Sequence, residues 1–322
     1  MLSEFDLIAH YFTRPPRDSA RVPLAVGDDC ALLVPAPGKQ LAISTDMLVE
    51  DRHFFAGADP RLLGHKALAV NLSDLAAMGA RPLAFTLALS LPQADPAWLA
   101  PFSQGLLALA DEHDCTLIGG DTTKGPLNIC ITVFGEVTPG KALRRDAAQP
   151  GDDIWISGTL GDARLGLAGC RHEVELPPSD LALACTRLHA PTPRVALGLA
   201  LAGIAHAALD ISDGLAGDLQ HILKRSRCGA RLEVDALPFG PVLARQDLAL
   251  RRRFALAGGD DYELCFTAAP AMRTQILAAA QAVQVPLTRI GQIEAQTGLR
   301  LTDANGMPLD LDYASFDHFS TP

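Results

Sequence analysis

Seven aspartates lie in five short polar stretches, each of which borders an apolar run and has Gly, Ser or Thr among its residues. They are Asp28, Asp29, Asp46, Asp74, Asp121, Asp210 and Asp213. Carboxylates beside core segments are costly unless something cationic gathers them. Hard oxygen ligands with small, hydroxyl-bearing neighbours are typical of Mg²⁺ and phosphate sites. The pattern therefore predicts metal-dependent phosphate chemistry.

Composition limits the class of protein. A chain of 322 residues fits two domains of ordinary size, and 48% apolar with 20% charged residues is typical of a soluble globular protein. The net charge is −10 and the Lys and Arg residues are scattered, which argues against nucleic acid as a partner. An acidic protein that binds polyphosphates has to place cations between itself and them, which again favours Mg²⁺.

The seven cysteines contain no Cys-x-x-Cys pair and are expected to be reduced thiols. The first residues lack a basic region followed by an apolar stretch, so no signal peptide is predicted. No uncharged apolar run approaches membrane-spanning length. We therefore expect a cytoplasmic protein with no membrane partner.

Strand and helix patterns interleave along the chain. A strand over 41–44 is predicted to deliver Thr45 and Asp46 at its end, and a helix over 61–80 places Asn71 and Asp74 on one face, with Gly79 at its C′ position. Further strands are predicted at 84–91, 115–118, 128–137, 154–157, 207–211, 263–267 and 287–293, and further helices at 97–113, after 162, at 215–226 and near 271–283. A turn-rich link spans 139–152. This order predicts an α/β or α+β architecture.

The common phosphate-binding motifs are missing, since the sequence has no P-loop, no protein-kinase set and no Gly-x-Gly-x-x-Gly. Carboxylate-held ions would then have to neutralise the roughly four negative charges of ATP, and seven aspartates suggest two or more ions. Several features keep two interpretations. Segment 158–162 is either an anion-binding loop or a plain strand-to-helix turn. Arg145 is either a phosphate ligand or a surface arginine of the linker. Asp74 is either a metal ligand or a hydrogen-bond acceptor for a neighbouring backbone group.

The ordered motifs identify a resemblance to thiamine-monophosphate kinases that covers essentially the whole chain. They are Gly27-Asp28-Asp29, Ser44-Thr45-Asp46, His53-Phe54, the run from Ala69 to Ala80, Gly119-Gly120-Asp121-Thr122, Asp210-Ile211-Ser212-Asp213-Gly214-Leu215, Gly258-Gly259-Asp260-Asp261-Tyr262-Glu263-Leu264 and Phe316-Asp317-His318-Phe319.

This resemblance implies the two-domain aminoimidazole ribonucleotide synthetase-like (PurM-like) fold. Residues 1–140 would form a domain that binds metal and ATP and dimerises through its sheet, and residues 150–322 an α/β domain that covers the active-site cleft. The implied reaction is direct in-line, Mg-assisted phosphoryl transfer from ATP to thiamine monophosphate. It gives thiamine diphosphate in the last step of that cofactor's synthesis, and the implied partners are the two substrates and a second copy of the chain.

Site roles follow from the same resemblance, residue by residue. The implied Mg²⁺ ligands are Asp29, Ser44, Thr45, Asp46, Asp74, Asp121, Asp210 and Asp213, of which Asp46, Asp121 and Asp213 are the catalytic set. The implied ATP contacts are Gly120, Asp121, Arg145 and Ser212, and the implied thiamine contacts are His53, Asp260 and Phe316. A carboxylate and an aromatic face suit a cationic thiazolium ring, which makes physical sense of Asp260 and Phe316.

Two departures from the family pattern bear on affinity. Asp260 stands where the family usually has Glu, and the lost methylene shortens its reach by about 1.5 Å, so a direct substrate contact would become water-mediated. Asp51 replaces a residue that is commonly small.

Other functions remain open at this point. A selenide-activating relative would need a reactive Cys or selenocysteine in a glycine-rich N-terminal segment, which this sequence lacks. A hydrogenase-maturation relative would end in Cys, whereas this sequence ends in Pro322. An aminoimidazole ribonucleotide synthetase, a two-metal phosphatase and a catalytically silent nucleotide-binding protein are the remaining alternatives. Product analysis with ATP and thiamine monophosphate separates them.

Overall fold

The structure is a computed structural model that describes residues 4–16 and 18–311. Phe316, a predicted substrate contact, lies outside the described residues. The chain divides into two compact units, the first made of Met1–Leu75 with Ala80–Gly140 and the second of Ala76–Gly79 with Lys141–Pro322. Within the described residues, no helix combines the length and apolar character needed to cross a bilayer.

The first unit is built on a four-stranded mixed sheet. Its strands are β1 (Gln40–Val49), β2 (Arg81–Leu91), β3 (Thr116–Lys124) and β4 (Asn128–Val137). The spatial order is β1-β4-β2-β3, with β1 antiparallel to β4, β4 antiparallel to β2, and β2 parallel to β3. Its helices are α1 (Glu4–Leu7), which continues as a π-helical turn over Ile8–Phe12, α2 (Pro60–Ala77) and α3 (Pro96–Glu112).

Local sequence explains where these helices begin and end. Asp95 caps α3, since its carboxylate accepts the N–H of Ala97, and Pro96 occupies the first helical position. Gly79 follows α2 with a φ of 63°, and the N–H of Ala80 reaches back to the Leu75 carbonyl. The predicted C′ role of Gly79 is thus confirmed, and α2 ends where glycine permits a left-handed residue.

Two strands are longer than the sequence predicts, and this changes where the aspartates lie. Strand β1 continues to Val49, so Asp46 lies within the strand and not after it. Strand β3 continues to Lys124, so Asp121 also lies inside a strand. Polar residues continue each ladder because β4 and β2 supply backbone partners over the whole length. Apolar periodicity, which defined the predicted strands, does not register such polar extensions.

The second unit contains a six-stranded mixed sheet in the order β10-β7-β9-β5-β8-β6. Its strands are β5 (Asp153–Ser157), β6 (Ala207–Asp210), β7 (Gly229–Glu233), β8 (Leu264–Ala268), β9 (Leu287–Glu294) and β10 (Gly298–Thr302). Its helices are α4 (Asp162–Cys170), α5 (Pro178–His189), α6 (Val195–Leu201), α7 (Leu215–Ser226), α8 (Leu248–Ala257) and α9 (Arg273–Ala282). The sequence patterns did not identify α5, α6, β7, α8 or β10.

Most strand pairs of this sheet are antiparallel, and only β10 and β7 run parallel. One cluster of its buried, mostly aliphatic residues receives side chains from both strands and helices, including Ile154, Leu209, Leu219 and Ile222. Leu219 and Ile222 are three residues apart on α7, as expected for the buried face of an amphipathic helix.

Glu263 is the most heavily bonded acid of the second unit. Its carboxylate is fully buried and accepts from Nε of Arg194 at 2.6 Å, Nη2 of Arg187 at 3.0 Å and the Ser157 hydroxyl at 2.6 Å. The same hydroxyl accepts the N–H of Leu264 at 2.8 Å. Two guanidinium groups and a hydroxyl therefore offset the desolvation of one carboxylate at the start of β8.

We expect Glu263→Gln to destabilise the protein by about 3–5 kcal/mol, because removal of the charge leaves two partly buried arginines without their partner. Chemical denaturation at neutral pH measures the loss. Glu173→Gln is the matched control, since Glu173 pairs with Arg164 at 2.7 Å in a more exposed position. That variant should change stability by no more than about 1 kcal/mol. Equal effects of the two substitutions would contradict the role given to Glu263.

A second prediction concerns Asp235, whose carboxylate receives two hydrogen bonds from Arg252 at 2.9 and 2.8 Å. The Arg252 hydrogen bonds hold the pKa of Asp235 below its usual value, with partial burial opposing them. A carboxyl whose pKa is lower in the folded state stabilises the fold above its unfolded pKa of about 3.9 and loses that contribution as pH falls through the folded pKa.

We therefore expect Asp235→Asn to lower stability at pH 7, with the difference from wild type constant down to about pH 4 and shrinking below it. Denaturation curves across this range measure the difference. A difference that grew on acidification would show that the Arg252 pair is not its source.

Candidate functional site

In the first unit, β1 and α2 bring four polar residues together, namely Ser44 and Asp46 on the strand and Asn71 and Asp74 on the helix. The Ser44 hydroxyl donates to the Asp74 carboxylate, and the N–H of Asp46 donates to the Asn71 side-chain oxygen at 3.1 Å. The Asn71 amide in turn donates to the Ala67 carbonyl at 2.9 Å, which fixes its orientation. The polar spot predicted on α2 thus faces β1, and Ser44, Asp46 and Asp74 form one oxygen-rich group.

Thr45 lies on the other side of this sheet. Successive side chains of a strand point to opposite faces, so Thr45 points away from Ser44 and Asp46. Its hydroxyl lies 2.9 Å from the Thr132 hydroxyl on the neighbouring strand. An ion bound by the Ser44 and Asp46 side chains would therefore not meet the Thr45 hydroxyl, and the backbone carbonyl of Thr45 is its remaining possible ligand atom.

A second group of predicted residues lines a cavity of about 840 Å³ in the first unit. Asp28 and Asp29 approach it from the N-terminal segment, and Gly120, Asp121 and Thr122 from β3. Asp28, Asp29 and Asp121 are all exposed. Their solvated carboxylates and the room beside them are what a hydrated cation or a phosphate chain needs.

Sheet register relates this cavity to the β1 group. Asp46 pairs with Ile131, Ile131 with Leu87, and Leu87 with Gly120, so Asp121 is one position beyond the Asp46 row and faces the opposite side of the sheet. Strands β1 and β3 are also three interstrand spacings apart, or roughly 14 Å. Within one sheet the register does not bring Asp46 and Asp121 onto one face.

The close approach of two strands explains why position 120 is a glycine. Its φ is 149°, and a Cβ at this position would lie 1.8 Å from the carbonyl oxygen of Leu87 on the adjacent strand. The close approach of β2 and β3 therefore requires glycine here, whether or not ATP contacts the same residue.

His53 is held by the turn that follows β1. Its Nδ1 accepts the N–H of Val49 at 3.0 Å, so the neutral ring carries its proton on Nε2. Asp51 in the same turn has a φ of 62°, and its carboxylate accepts the N–H of Ala56 at 3.3 Å. Asp is often found at positions with left-handed backbone and a local side-chain hydrogen bond. This conformation accounts for Asp51 in place of the small residue that is common in the family.

In the second unit, β6 delivers the Asp210–Gly214 turn to the start of α7. Asp210 is buried at the end of β6, and the backbone N–H groups of Ser212 and Asp213 both donate to Oδ2 of Asp218, at 3.1 and 3.0 Å. Sequence reasoning missed Asp218. The available signal was an acid in the first turn of a helix, where carboxylates accept orphan N–H groups.

The charge state of Asp218 reflects this position. Burial raises the pKa of Asp218 to about 7, and the nearby charge of Asp213 acts in the same direction. The N–H groups of Asp213 and Ser212 and the positive charge of Arg145 favour the ionised form and oppose the rise. Arg145 is exposed.

The acidic loop over 258–263 runs beside this turn. The N–H of Asp260 donates to the Ser212 carbonyl at 2.9 Å and that of Tyr262 to the Ile211 carbonyl at 2.8 Å, while the N–H of Ile211 donates to the Glu263 carbonyl at 2.8 Å. The structure thus places Asp260, a predicted substrate contact, beside Ser212, a predicted ATP contact. Asp260 has a φ of 67°, a conformation that Asp adopts more readily than Glu.

The neighbouring acids Asp261 and Asp162 have internal roles. Asp261 is buried and accepts the N–H of Gly161 with both oxygens, at 3.0 and 2.9 Å. Burial raises its pKa well above the usual value, and the Gly161 N–H opposes the rise. Asp162 accepts the N–H groups of Val242 and Leu243 at 3.2 and 2.7 Å. Segment 158–162 is therefore a strand-to-helix turn whose Gly161 N–H already has a carboxylate acceptor.

Comparison with known protein families also divides the chain into two parts. Residues 27–137 match the AIR synthase related protein, N-terminal domain, and residues 149–304 match the AIR synthase related protein, C-terminal domain. Both matches fit a PurM-like fold with two mixed sheets and surrounding helices. The fold class expected from the resemblance is confirmed.

Individual relatives extend the match to the whole chain. The thiamine-monophosphate kinase of Salmonella typhimurium is 48% identical over 322 residues, which cover 99% of each chain. A crystal structure of thiamine-monophosphate kinase from Stenotrophomonas maltophilia is 48% identical with a TM-score of 0.83, over 88% of this chain and 92% of that one. A structure described as AaThiL complexed with AMPPCP and TMP is 29% identical with a TM-score of 0.76, over 89% of both chains. The chain belongs to the AIR synthase related protein family and, within it, to the thiamine-monophosphate kinases.

Proposed function

We propose that this protein transfers the γ-phosphoryl group of ATP to the phosphate of thiamine monophosphate and releases thiamine diphosphate and ADP. The observation that carries the proposal is the 48% identity to a thiamine-monophosphate kinase over 99% of both chains. The related structure with AMPPCP, an ATP analogue, and TMP supports both substrates. In the reaction an oxygen of the acceptor phosphate forms a bond to the γ-phosphorus as the bond to the ADP oxygen breaks.

Mg²⁺ is the proposed metal, and the donor set fits it. The residues that would hold the several ions are Asp29, Ser44, Asp46, Asp74 and Asp121 in the first unit and Asp210 and Asp213 in the second, with Thr45 restricted to its carbonyl. All of these donors are oxygens, and hard cations prefer such ligands. When bound, Mg²⁺ supplies neutralisation of the phosphate charge and stabilises the charge of the transition state.

The protein's own groups have separate tasks in this proposal. Asp218 accepts the N–H groups of Ser212 and Asp213 and so fixes the backbone that carries the Ser212 hydroxyl, the group proposed to contact ATP. The Arg145 guanidinium offers bidentate donors to phosphate oxygens. Asp260 presents a carboxylate beside this turn for the thiazolium cation, and His53 and Phe316 stay predicted substrate contacts. The cytoplasmic location also stays a prediction.

The site aspartates are tested by turnover. We expect Asp46→Asn and Asp213→Asn each to lower kcat for thiamine diphosphate formation by at least about 10²-fold, because catalytic charge stabilisation is typically worth that much. Separation of the thiamine esters after incubation with ATP, Mg²⁺ and thiamine monophosphate measures the product.

Asp111→Asn is the control for these variants, since Asp111 lies on α3 and makes an exposed ion pair with Arg14 at 3.2 Å. Its kcat should stay within about twofold of wild type because exposed pairs of this kind contribute little. Wild-type protein that forms no thiamine diphosphate would overturn the proposed function. Near-normal turnover of both site variants would leave the reaction standing and assign the aspartates to structure.

We further propose a homodimer that forms through the exposed face of β1. This strand is an edge of its sheet, and alternate residues Leu41, Ile43 and Met47 are 41%, 60% and 53% exposed. This row is apolar except for Thr45, and an exposed apolar row beside an open strand edge is typical of a protein interface.

We expect wild-type protein to sediment as a dimer and Ile43→Asp to sediment as a monomer, because the new carboxylate would be buried in the interface without a partner. Analytical ultracentrifugation at micromolar concentration measures both. Leu277→Asp is the matched control, since Leu277 on α9 of the second unit is 51% exposed and is not part of the proposed interface. A wild-type monomer, or dissociation by Leu277→Asp as well, would contradict the proposed interface.

A further inference from the structure

Two cysteines and a histidine of the second unit form a cluster that the phosphoryl-transfer function does not use. The Sγ atoms of Cys170 and Cys185 lie 3.4 Å apart. These two atoms and a ring nitrogen of His189 lie within 4.8 Å of one another, and all three residues are half-buried. Cys170 ends α4, and Cys185 and His189 lie in the last turns of α5.

The packing of α4 against α5 produces this cluster. Gly166 on α4 has no side chain, and a Cβ there would come within 2.9 Å of the backbone carbon of Ala184 and 3.0 Å of the backbone nitrogen of Cys185. The glycine therefore lets the two helices approach closely. Cys170 is four residues after Gly166, so it lies one turn further along the same face of α4.

On α5 the spacing of the two ligands also favours a common site. Cys185 and His189 are four residues apart on one helix, which puts their side chains on one face. Their neighbours Ala184 and Leu188 are buried at 0% and 4% exposure and hold the adjoining face against the core. The pair therefore lies at the rim of the helix contact, where an ion from solvent has access.

We propose that Cys170, Cys185 and His189 bind a thiophilic divalent metal ion, with Zn²⁺ the best match, and that this ion joins α4 to α5. Two thiolates and an imidazole are a known zinc donor set, with a water molecule as the fourth ligand. Zn–S bonds of about 2.3 Å in a tetrahedral site separate two sulfurs by about 3.8 Å. The observed 3.4 Å is within about half an ångström of that value.

A disulfide is the competing use of the two thiols, and it requires larger changes. Its sulfurs would have to come from 3.4 Å to about 2.05 Å. A metal ion bound by the two thiolates, in contrast, requires the distance between the sulfurs to change by only about half an ångström.

The position of the proposed ion gives it a structural consequence. Between Cys185 and His189, α5 carries Arg187, whose guanidinium donates to the Asp261 carbonyl and to Glu263, both at 3.0 Å. A metal that fixes α5 against α4 would therefore stabilise the helix that holds the acidic loop over 258–263. We expect Zn²⁺ to raise the thermal unfolding midpoint of the full-length protein by mass action.

The binding test uses Co²⁺ as a spectroscopic probe on the reduced, full-length protein in excess Mg²⁺, which occupies the oxygen-ligand sites. One equivalent of Co²⁺ should give sulfur-to-cobalt charge-transfer bands and the visible bands of a tetrahedral ion, and Zn²⁺ should displace it. Cys170→Ser and Cys185→Ser should each lower Zn²⁺ affinity at least about 100-fold, since loss of an outer-shell partner alone costs 10–100-fold. His189→Asn should lower it at least about tenfold.

Cys228→Ala is the control, because Cys228 is a buried thiol elsewhere in the same unit and should leave the spectrum and the affinity unchanged. Circular dichroism establishes that each variant is folded. Absence of charge-transfer bands in wild type, or their retention in both Cys170→Ser and Cys185→Ser, would overturn the proposal. A Cys170–Cys185 disulfide after mild oxidation, with no Zn²⁺ bound by the reduced protein, would also overturn it. None of these readouts depends on kinase activity.

Discussion

The cost of removing carboxylates from water is the constraint on which this structure depends. A buried carboxylate with no partner costs several kcal/mol, so each acid in the interior needs cationic or N–H donors. Glu263 has Arg187, Arg194 and Ser157, while Asp153 at the start of β5 is fully buried and pairs with Arg273 at 2.6 and 2.8 Å. These contacts connect strands of the six-stranded sheet to the helices and loops around it.

The same constraint separates the acids with internal donors from those proposed to serve ligands. Asp162, Asp218 and Asp261 are occupied by backbone N–H groups and shape the turns around them. Asp28, Asp29 and Asp121 instead line an open cavity in the first unit. Asp260 connects the two classes in the second unit, because its backbone pairs with Ser212 while the carboxylates of Asp261 and Glu263, which follow it, hold the loop.

Much of the fold and part of the candidate site could be predicted from the sequence. Helix α2 and its Gly79 terminus, β2, β4 and β5, and the shared helix face of Asn71 and Asp74 follow from apolar periodicity and residue spacing, which are local properties. The opposite faces of Asp46 and Asp121 could not be predicted in this way, because they depend on strand order and register across four strands. Asp218 lies in the first turn of a predicted helix, but which N–H groups its carboxylate accepts depends on how β6 and α7 enclose the turn.

By itself the sequence determined the chemistry: seven aspartates beside small and hydroxyl-bearing residues predicted a hard metal and phosphate, and their ordered motifs identified the kinase family. Tertiary structure decided which of these groups are neighbours. Ser44 and Asp74 are 30 residues apart and bonded, whereas adjacent Ser44 and Thr45 point to opposite faces. Cys170 and Cys185, which share no motif, meet because Gly166 lets two helices approach. The reason is physical: residue type sets what a group can bind, and only packing and register set the distance to its partners.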